Sequence, residues 1–281
     1  MAYKDLLVVL DATPACATRL DVAIGLARRF EAHLTGLHIV THPYIPPYVA
    51  AQIPAEAIEA QRDAQRAQSD KLRVDFEAAL SAAGVKGEWR QAEGNVNELA
   101  GLNARYADLV VVGQTEPETA GEPGTSDDLP EHLALDAGRP VLVVPYAGKF
   151  PEIGKRILLA WNASREAARA VSDTMPFLKA ADDVMALSVN PHGGEGEEGH
   201  GEVPGADIAL HLARHGVKAT ASHVQTGDVS VGDMLLSRAA DDGADLIVMG
   251  AYGRSRMREL ILGGASRSIL GHMTVPVLLS H

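Results

Sequence analysis

The chain is poor in cysteine and in positive charge, and each shortage excludes a class of protein. Cys16 is the only cysteine in 281 residues, so neither a disulfide within the chain nor a zinc site made of several thiolates can form. Lysine and arginine number 25 against 37 aspartate and glutamate residues. The resulting net charge of −12 argues against a general nucleic-acid binder, which needs a basic surface.

Long hydrophobic runs are also missing from the sequence. The apolar runs, such as ADLVVVG, are far shorter than the roughly 20 residues that span a bilayer. The start, MAYKDLLVVLD, lacks the long apolar core of a signal peptide. Hydrophobic residues nevertheless make up 46% of the chain, which is typical of a globular protein. The sequence therefore predicts a globular, cytoplasmic protein.

The sequence contains two copies of one unit. Three landmarks recur in the same order, about 140–150 residues apart: LLVVLDAT and ILLAWNAS, ADLVVVG and ADLIVMG, RPVLVV and VPVLL. Each member of the first pair is an apolar run that ends in a short polar turn before an alanine-rich stretch. We therefore predict two domains in tandem, residues 1–150 and residues 151–281.

The order of segments within each copy predicts the fold class. Short runs of Val, Ile and Leu alternate with longer stretches rich in Ala, Leu, Glu and Arg. Runs that are apolar throughout are typical of strands buried on both faces of a sheet. The alternation predicts an α/β fold, with a doubly wound parallel sheet in each domain. The first copy also carries a proline-rich insertion (HPYIPPYVAAQIPAE) and a predicted long helix (EAIEAQRDAQRAQSDKLRVDFEAALSAAG) after its second strand.

The most informative stretch is MGAYGRSRMRELILGGASRSILGH, near the end of the second copy. Gly250 ends a predicted strand, Gly253 follows it closely, and Gly263 and Gly264 precede a predicted helix that contains Ser266. Glycines let a backbone approach a ligand, and the amides of a helix start attract anions. We interpret the stretch as a phosphate site in which Ser266 caps the helix or donates to a phosphate oxygen. The alternative, in which these glycines only shape turns, stays open.

This pattern resembles the C-terminal signature of the universal stress protein family. In that signature a glycine, two residues, a second glycine, nine residues and a third glycine are followed by Ser or Thr. Gly250, Gly253 and Gly263 match it, while Gly264 stands where the family usually has a hydroxyl residue. The repeated landmarks extend the resemblance to both halves. It implies two Rossmann-like domains of the adenine nucleotide alpha hydrolase type.

The resemblance also implies a ligand, namely ATP or else ADP or AMP, with Mg²⁺ as a companion of the nucleotide, bound by the second half. The positions that match nucleotide contacts in the family are Ala160, Trp161, Asn162, Val189, Met249, Gly250, Gly253, Gly263, Gly264, Ala265 and Ser266. The family usually has Asp at the position of Asn162. The neutral amide still donates and accepts hydrogen bonds, but it offers no carboxylate to a metal ion.

The first half has lost the signature. Glu116 stands where the second glycine would be, and Asp127 and Asp128 stand at the third glycine and its neighbour. Carboxylates there would repel a triphosphate, and we expect them to cap the following helix instead. Asp11 retains the acidic residue at the end of the first strand. The first half is therefore predicted to be structural and to replace the second subunit of a family dimer, although a different ligand there stays open.

The sequence offers no convincing set of catalytic groups. The motifs GxSxG and HExxH are absent, and we find no base for the phosphoryl transfer that an ATPase performs. The leading hypothesis is a nucleotide-binding regulator of the stress response, whose conformation or partner surface changes with nucleotide occupancy. A slow ATPase or phosphoryl-transfer enzyme and a scaffold without nucleotide are the alternatives. The last strand, TVPVLLSH, is expected to pair with the other half or across a homodimer.

Overall fold

Helices and strands alternate along both halves of the chain. A computed structural model describes residues 2–41, 54–116, 118, 124–190, 205–251 and 264–281. The first half contains β1 (Asp5–Leu10), α1 (Cys16–Phe30), β2 (His33–Val40), α2 (Ala55–Ala83), β3 (Gly87–Glu93), α3 (Val96–Ala104), β4 (Leu109–Gly113), α4 (Leu129–Asp136) and β5 (Val141–Val144). The second half contains β6 (Arg156–Ala160), α5 (Arg165–Asp173), α6 (Met175–Ala180), β7 (Asp183–Val189), α7 (Ala206–Arg214), β8 (Ala219–Val224), α8 (Val231–Asp241), β9 (Leu246–Gly250), α9 (Gly264–His272) and β10 (Val277–Ser280).

These ten strands form one continuous sheet in the order β3-β2-β1-β4-β5-β10-β9-β6-β7-β8. Neighbouring strands within each half are parallel, which confirms the predicted α/β class. The central pair, β5 and β10, is antiparallel, with Val143 opposite Val277. The last strand therefore pairs with the other half of the same chain. In each half the strand order reverses between the first and fourth strands, where open α/β sheets bind ligands.

The two halves also meet through side chains on both faces of the sheet. On one face the rings of Tyr3, Phe30 and Phe177 lie with their centroids 5.0–5.7 Å apart. The pairs Tyr3–Phe30 and Phe30–Phe177 are edge-to-face, an arrangement that stabilises aromatic clusters beyond simple burial. On the other face the side-chain amide of Gln114 donates to the carbonyl oxygen of Leu270 at 2.8 Å. The ring contacts of Phe177 and the hydrogen bond of Gln114 join the first half to the second, so the central strand pairing is reinforced on both faces of the sheet.

The predicted long helix of the first half is confirmed as α2. It covers the outer strands β2 and β3 with Phe76 and Leu80, which are 0% and 6% exposed. Gly36 of β2 permits this packing, because a Cβ atom there would lie 2.8 Å from the Phe76 ring. The helix ends at Gly84, whose φ of 65° is the left-handed conformation that favours glycine. Most of the proline-rich insertion, residues 42–53, lies outside the described residues.

Among the described residues, none of the helices is both long enough and apolar enough to span a bilayer.

Candidate functional site

Nine of the eleven residues predicted to contact a nucleotide surround one cavity of about 260 Å³ in the second half. They are Ala160, Trp161, Asn162, Val189, Met249, Gly250, Gly264, Ala265 and Ser266. The cavity lies at the carboxyl ends of β6, β7 and β9 and at the start of α9. The other two, Gly253 and Gly263, lie outside the described residues. The sheet thus brings together segments that are about 90 residues apart in the sequence.

Three further residues line the cavity that the sequence did not indicate: Leu187, Val231 and Leu235. Leu187 lies two residues before Val189 on the same face of β7, so strand alternation could have identified it. Val231 and Leu235 belong to the first turns of α8, one helical turn apart. No motif marks them, because their position depends on how α8 packs across the sheet.

The described lining of the cavity is mostly apolar and carries no carboxylate. Leu187, Leu235 and Met249 are 0%, 2% and 6% exposed, so they form the buried inner wall of the cavity. Val231 is 37% exposed and lies nearer the solvent. Ligand pockets commonly combine apolar walls with a few polar groups that fix orientation. Here the polar side chains are those of Trp161, Asn162 and Ser266, alongside the backbone amides.

Asn162 forms a turn at the end of β6. Its Oδ1 atom accepts a hydrogen bond from the backbone N–H of Ser164 at 3.1 Å. Asp11 makes the corresponding hydrogen bond in the first half, since its Oδ1 atom accepts from the backbone N–H of Thr13 at 3.0 Å. Asn and Asp both accept this kind of hydrogen bond, but the two backbones differ, because φ is 53° at Ala163 and is not positive at its counterpart Ala12. With Asn at this position, the Nδ2 group of Asn162 is a hydrogen-bond donor beside the cavity, whereas an Asp carboxylate would offer only acceptors.

The start of α9 supplies backbone amides to the cavity. Gly264, Ala265 and Ser266 are the first three residues of this helix, and all three line the cavity. N–H groups in the first turn of a helix lack partners within the helix and lie at the positive end of its dipole. Ser266 is inside the helix and only 3% exposed. It is therefore not the N-cap, which excludes one of the two roles that the sequence left open for it.

Contacts with α8 hold the start of α9 in place. The absence of a side chain at Gly232 permits close packing, because a Cβ atom there would lie 2.9 Å from the carbonyl oxygen of Ala265. The hydroxyl of Ser268 donates to Asp233 Oδ1 at 3.0 Å, and the hydroxyl of Ser230 donates to Asp233 Oδ2 at 2.7 Å. These two hydrogen bonds, the one from Ser230 first, lower the pKa of Asp233 below its ordinary value.

Gly250 has a packing role that the sequence interpretation left open. A Cβ atom at this position would lie 2.5 Å from the carbonyl carbon of Glu166 and 2.6 Å from the backbone nitrogen of Ala167. The start of α5 therefore presses directly against the end of β9. Glycine is required here by close approach, whatever ligand the cavity takes.

In the first half, the loop after β4 covers the corresponding strand end. The backbone N–H of Gly124 donates to the hydroxyl of Thr41 at 2.8 Å. A Cβ atom at Gly124 would lie 3.2 Å from the carbonyl oxygen of Ile39, and the strand registers make Ile39 the counterpart of Val189. Gly124 is buried, with a φ of 84° that favours glycine. Part of the protein's own chain thus packs against the counterpart of a residue that lines the cavity in the second half.

Asp128 corrects another expectation for the first half. It precedes α4 at the N-cap position, but its side chain makes no capping hydrogen bond. Instead Asp128 Oδ1 accepts from Asn97 Nδ2 and from the Ser126 hydroxyl, both at 2.8 Å. These hydrogen bonds, led by that from Asn97, lower the pKa of Asp128. The predicted capping is wrong for Asp128 because side chains of α3 and of the preceding loop compete successfully for the carboxylate.

A buried ion pair holds the acidic residue that the first half retains. Arg19 Nη2 lies 2.8 Å from Asp11 Oδ2, and the two side chains are 5% and 12% exposed. Burial alone would raise the pKa of Asp11, but the charge of Arg19 and hydrogen bonds from Thr13 outweigh it and lower the pKa. The landmark alignment places Asn162 and Ala170 at these two positions in the second half. The ion pair is thus a feature of the first half alone.

Comparison with known proteins identifies the family. A sequence model of the universal stress protein family matches the chain twice, over residues 2–145 and 154–281. The chain therefore belongs to the universal stress protein family, as the resemblance of its glycine pattern predicted. The two matches also confirm that it carries two family units in tandem.

Solved structures show the same fold over nearly the whole chain. A universal stress protein from Archaeoglobus fulgidus is 17% identical, and the alignment covers 98% of this chain and 97% of that chain with a TM-score of 0.71. A functionally unknown protein from Pseudomonas aeruginosa is 16% identical, with coverage of 99% and 92% and a TM-score of 0.60. No curated protein shows significant sequence similarity to the chain.

Proposed function

We propose that the second half of this protein binds an adenine nucleotide, ATP or else ADP or AMP, and that the protein acts in the cytoplasm as a regulator of the stress response. The observation that carries the proposal is the cavity at the ends of β6, β7 and β9, which joins apolar walls to the start of α9. The first half, residues 1–150, has a structural role in this proposal and does not bind ATP in the same way.

The apolar part of the cavity suits a purine ring. Leu187 and Val189 lie on one face of β7, and Leu235 approaches from α8. A flat aromatic ring between such side chains buries apolar surface on both of its faces, which is the main favourable term in binding apolar groups. The cavity of about 260 Å³ is slightly smaller than the usual range for ligand pockets, roughly 300–1,000 Å³.

The polar end of the cavity suits phosphate groups. The amides of Gly264, Ala265 and Ser266 lie at a helix start, which attracts anions. The whole chain carries a charge of −12, yet no acidic side chain belongs to the described lining. The phosphate groups are therefore bound by local hydrogen-bond donors and not attracted by a general positive charge of the protein.

The described lining also favours a regulator over an enzyme. Phosphoryl transfer needs a base or a water-positioning group next to the phosphate. The ionisable types that serve as bases, His, Asp and Glu, are not among the described lining residues. We therefore assign nucleotide occupancy the role of biasing a conformation or a partner surface. Hydrolysis of ATP by the purified protein, abolished by a substitution that leaves binding intact, would favour the enzyme alternative.

The first experiment is a calorimetric titration of nucleotide-stripped protein with ATP, ADP and AMP. One site per chain is expected, because the first half lacks the glycine signature and its loop covers the corresponding strand end. Two sites per chain would contradict the structural role of the first half. At about 1 mM ATP even a weak site, with a binding free energy of only about 4 kcal/mol, is detected. The nucleotide proposal is rejected if the protein shows no heat of binding and retains no nucleotide at this concentration.

A second prediction concerns the magnesium dependence of binding. The parent protein should bind ATP with nearly the same affinity in MgCl₂ and in EDTA, because Asn162 offers no carboxylate to the ion. Asn162→Asp should make binding depend on Mg²⁺ by about tenfold, equivalent to about 1.4 kcal/mol. The hydrogen bond from the Ser164 backbone should survive, since the carboxylate of Asp11 accepts the corresponding bond from Thr13 in the first half.

The matched control for this prediction is Asn162→Ser. Serine can also form a side-chain turn with the backbone, but it adds no charge. Its ATP affinity should be equally insensitive to Mg²⁺. A strong magnesium dependence in the parent protein or in the serine variant would show that another group binds the ion.

A further inference from the structure

The carboxyl end of helix α7 in the second half presents two imidazole groups side by side, one in the last turn of the helix and one on the residue that follows it. His211 and His215 are four residues apart, so they lie on the same face of the helix, one turn from each other. Their ring centroids are 4.7 Å apart, and the ring planes are inclined by 54°. Both residues are exposed to solvent. Two exposed imidazoles this close together can direct nitrogen atoms at a common partner.

The chemistry of such a pair matches a transition-metal ion. Imidazole is a preferred ligand of Zn²⁺, Cu²⁺ and Ni²⁺. A spacing of four residues on a helix is the one with which two histidines bind a single zinc ion in metalloproteases. Because a metal–nitrogen distance is about 2.0–2.1 Å, the two nitrogens must come within about 4 Å of each other. Rings whose centroids are already 4.7 Å apart need only side-chain rotation to reach that geometry.

The position of the pair on the helix also favours a cation. His215 directly follows the last residue of α7, Arg214, and His211 belongs to the last turn. The carbonyl end of a helix carries the negative end of its dipole. Asp207 lies one turn before His211 on the same face, where its carboxylate adds a negative charge.

We propose that His211 and His215 form a surface site for one divalent transition-metal ion. Cu²⁺ binds more tightly than Ni²⁺ or Zn²⁺, in line with the general order for nitrogen ligands. Among the described residues no group of three or more His, Cys, Asp or Glu side chains is placed to hold an ion. The described part of the protein therefore supplies two ligands to this ion, and water can fill the remaining positions. The site is separate from the cavity of the second half, to whose described lining α7 contributes no residue.

The test uses tag-free, chelator-treated full-length protein without nucleotide. The parent and the double variant His211→Gln/His215→Gln are titrated with Cu²⁺, Ni²⁺, Zn²⁺ and Mg²⁺ by calorimetry. The parent should bind one transition-metal ion that the double variant does not bind. Each single variant should weaken that site about tenfold or more, because one imidazole no longer gains from the proximity of the other. Mg²⁺ should not bind to it, since this ion prefers oxygen ligands. The electron paramagnetic resonance spectrum of the Cu²⁺-loaded parent should show coupling to two nitrogen nuclei, which the double variant loses.

The matched control is His223→Gln, which removes a histidine from β8 and should leave this site unchanged. Glutamine is at least as good a helix former as histidine, so the α7 variants should fold, and thermal unfolding without metal should verify that. The proposal is overturned if the double variant binds the same number of ions as the parent with the same affinity. It is equally overturned if the parent binds none of the transition-metal ions at about 1 mM.

Discussion

Replacing Gly264 with aspartate should weaken ATP binding by on the order of 10²-fold without disturbing the fold. Gly264 is the first residue of α9 and is exposed, and a Cβ atom there would meet no heavy atom of the described residues within 4 Å. A carboxylate in the first turn is also favourable for the helix itself. The side chain therefore fits, and its main effect is the negative charge that it places beside the proposed phosphate site.

The size of this effect follows from electrostatics. Two unit charges about 4 Å apart interact by about 4 kcal/mol at an effective dielectric constant near 20, and exposure to solvent and salt reduces this value. A loss of about 3 kcal/mol corresponds to roughly a 10²-fold weaker affinity. In the first half the matching position is Asp128, which precedes α4, so a carboxylate at this point is compatible with the fold.

The control for Gly264→Asp is Gly264→Asn, which has nearly the same size but no charge. Calorimetric titration of both variants with ATP, at low and high salt, separates charge from bulk. The asparagine variant should stay within a few-fold of the parent, and the defect of the aspartate variant should shrink as salt increases. Equal losses in both variants would indicate steric blocking, and unchanged binding in both would place the phosphates elsewhere.

Removing the charge of Asp11 should destabilise the protein by about 3 kcal/mol or more, because it leaves Arg19 buried without its partner. Arg19 is only 4% exposed, and its guanidinium group lies 2.8 Å from the carboxylate. Asp11→Asn keeps the oxygen that accepts from the backbone of Thr13, as Asn162 does at the matching turn. The change therefore isolates the charge. Urea denaturation should measure the loss as a lower midpoint with an unchanged slope.

Two further variants test this explanation. Asp11→Asn/Arg19→Met removes both charges and should recover much of the lost stability, since an apolar side chain replaces the buried cation. Asp63→Asn breaks an ion pair with Arg66 whose side chains are 67% and 77% exposed, and should change stability by less than about 0.5 kcal/mol. A destabilisation by Asp11→Asn no larger than that of Asp63→Asn would contradict a stabilising role for the buried pair.

The same ion pair predicts a dependence of stability on pH. The pKa of Asp11 in the folded protein is lower than its ordinary value of 3.8, so the folded state binds the proton less readily than the unfolded state. The stabilisation is therefore complete above the unfolded pKa and is lost as the pH falls through the folded pKa. The free energy of unfolding should decline less between pH 5 and pH 2 for Asp11→Asn than for the parent, a comparison made by urea denaturation at each pH.

The sequence by itself determined the class of fold, the tandem repeat and most of the candidate site. The repeated landmarks and the alternation of apolar runs with helical stretches gave the α/β units that the sheet confirms. The glycine pattern identified the end of β9 and the start of α9, and family positions added Asn162 and Val189. These features are local, since strand and helix periodicity and the absence of a side chain are encoded within a few consecutive residues.

Only the tertiary structure decided how distant segments meet. It joined the halves through β5 and β10, added Leu187, Val231 and Leu235 to the cavity, and directed Asp128 to Asn97 and not to its own helix. It also placed Gly124 over the end of β2. Hydrogen-bond partners and cavity walls of this kind depend on the packing of elements that are far apart in the chain. The residues themselves are compatible with several partners, and the packed sheet selects one of them.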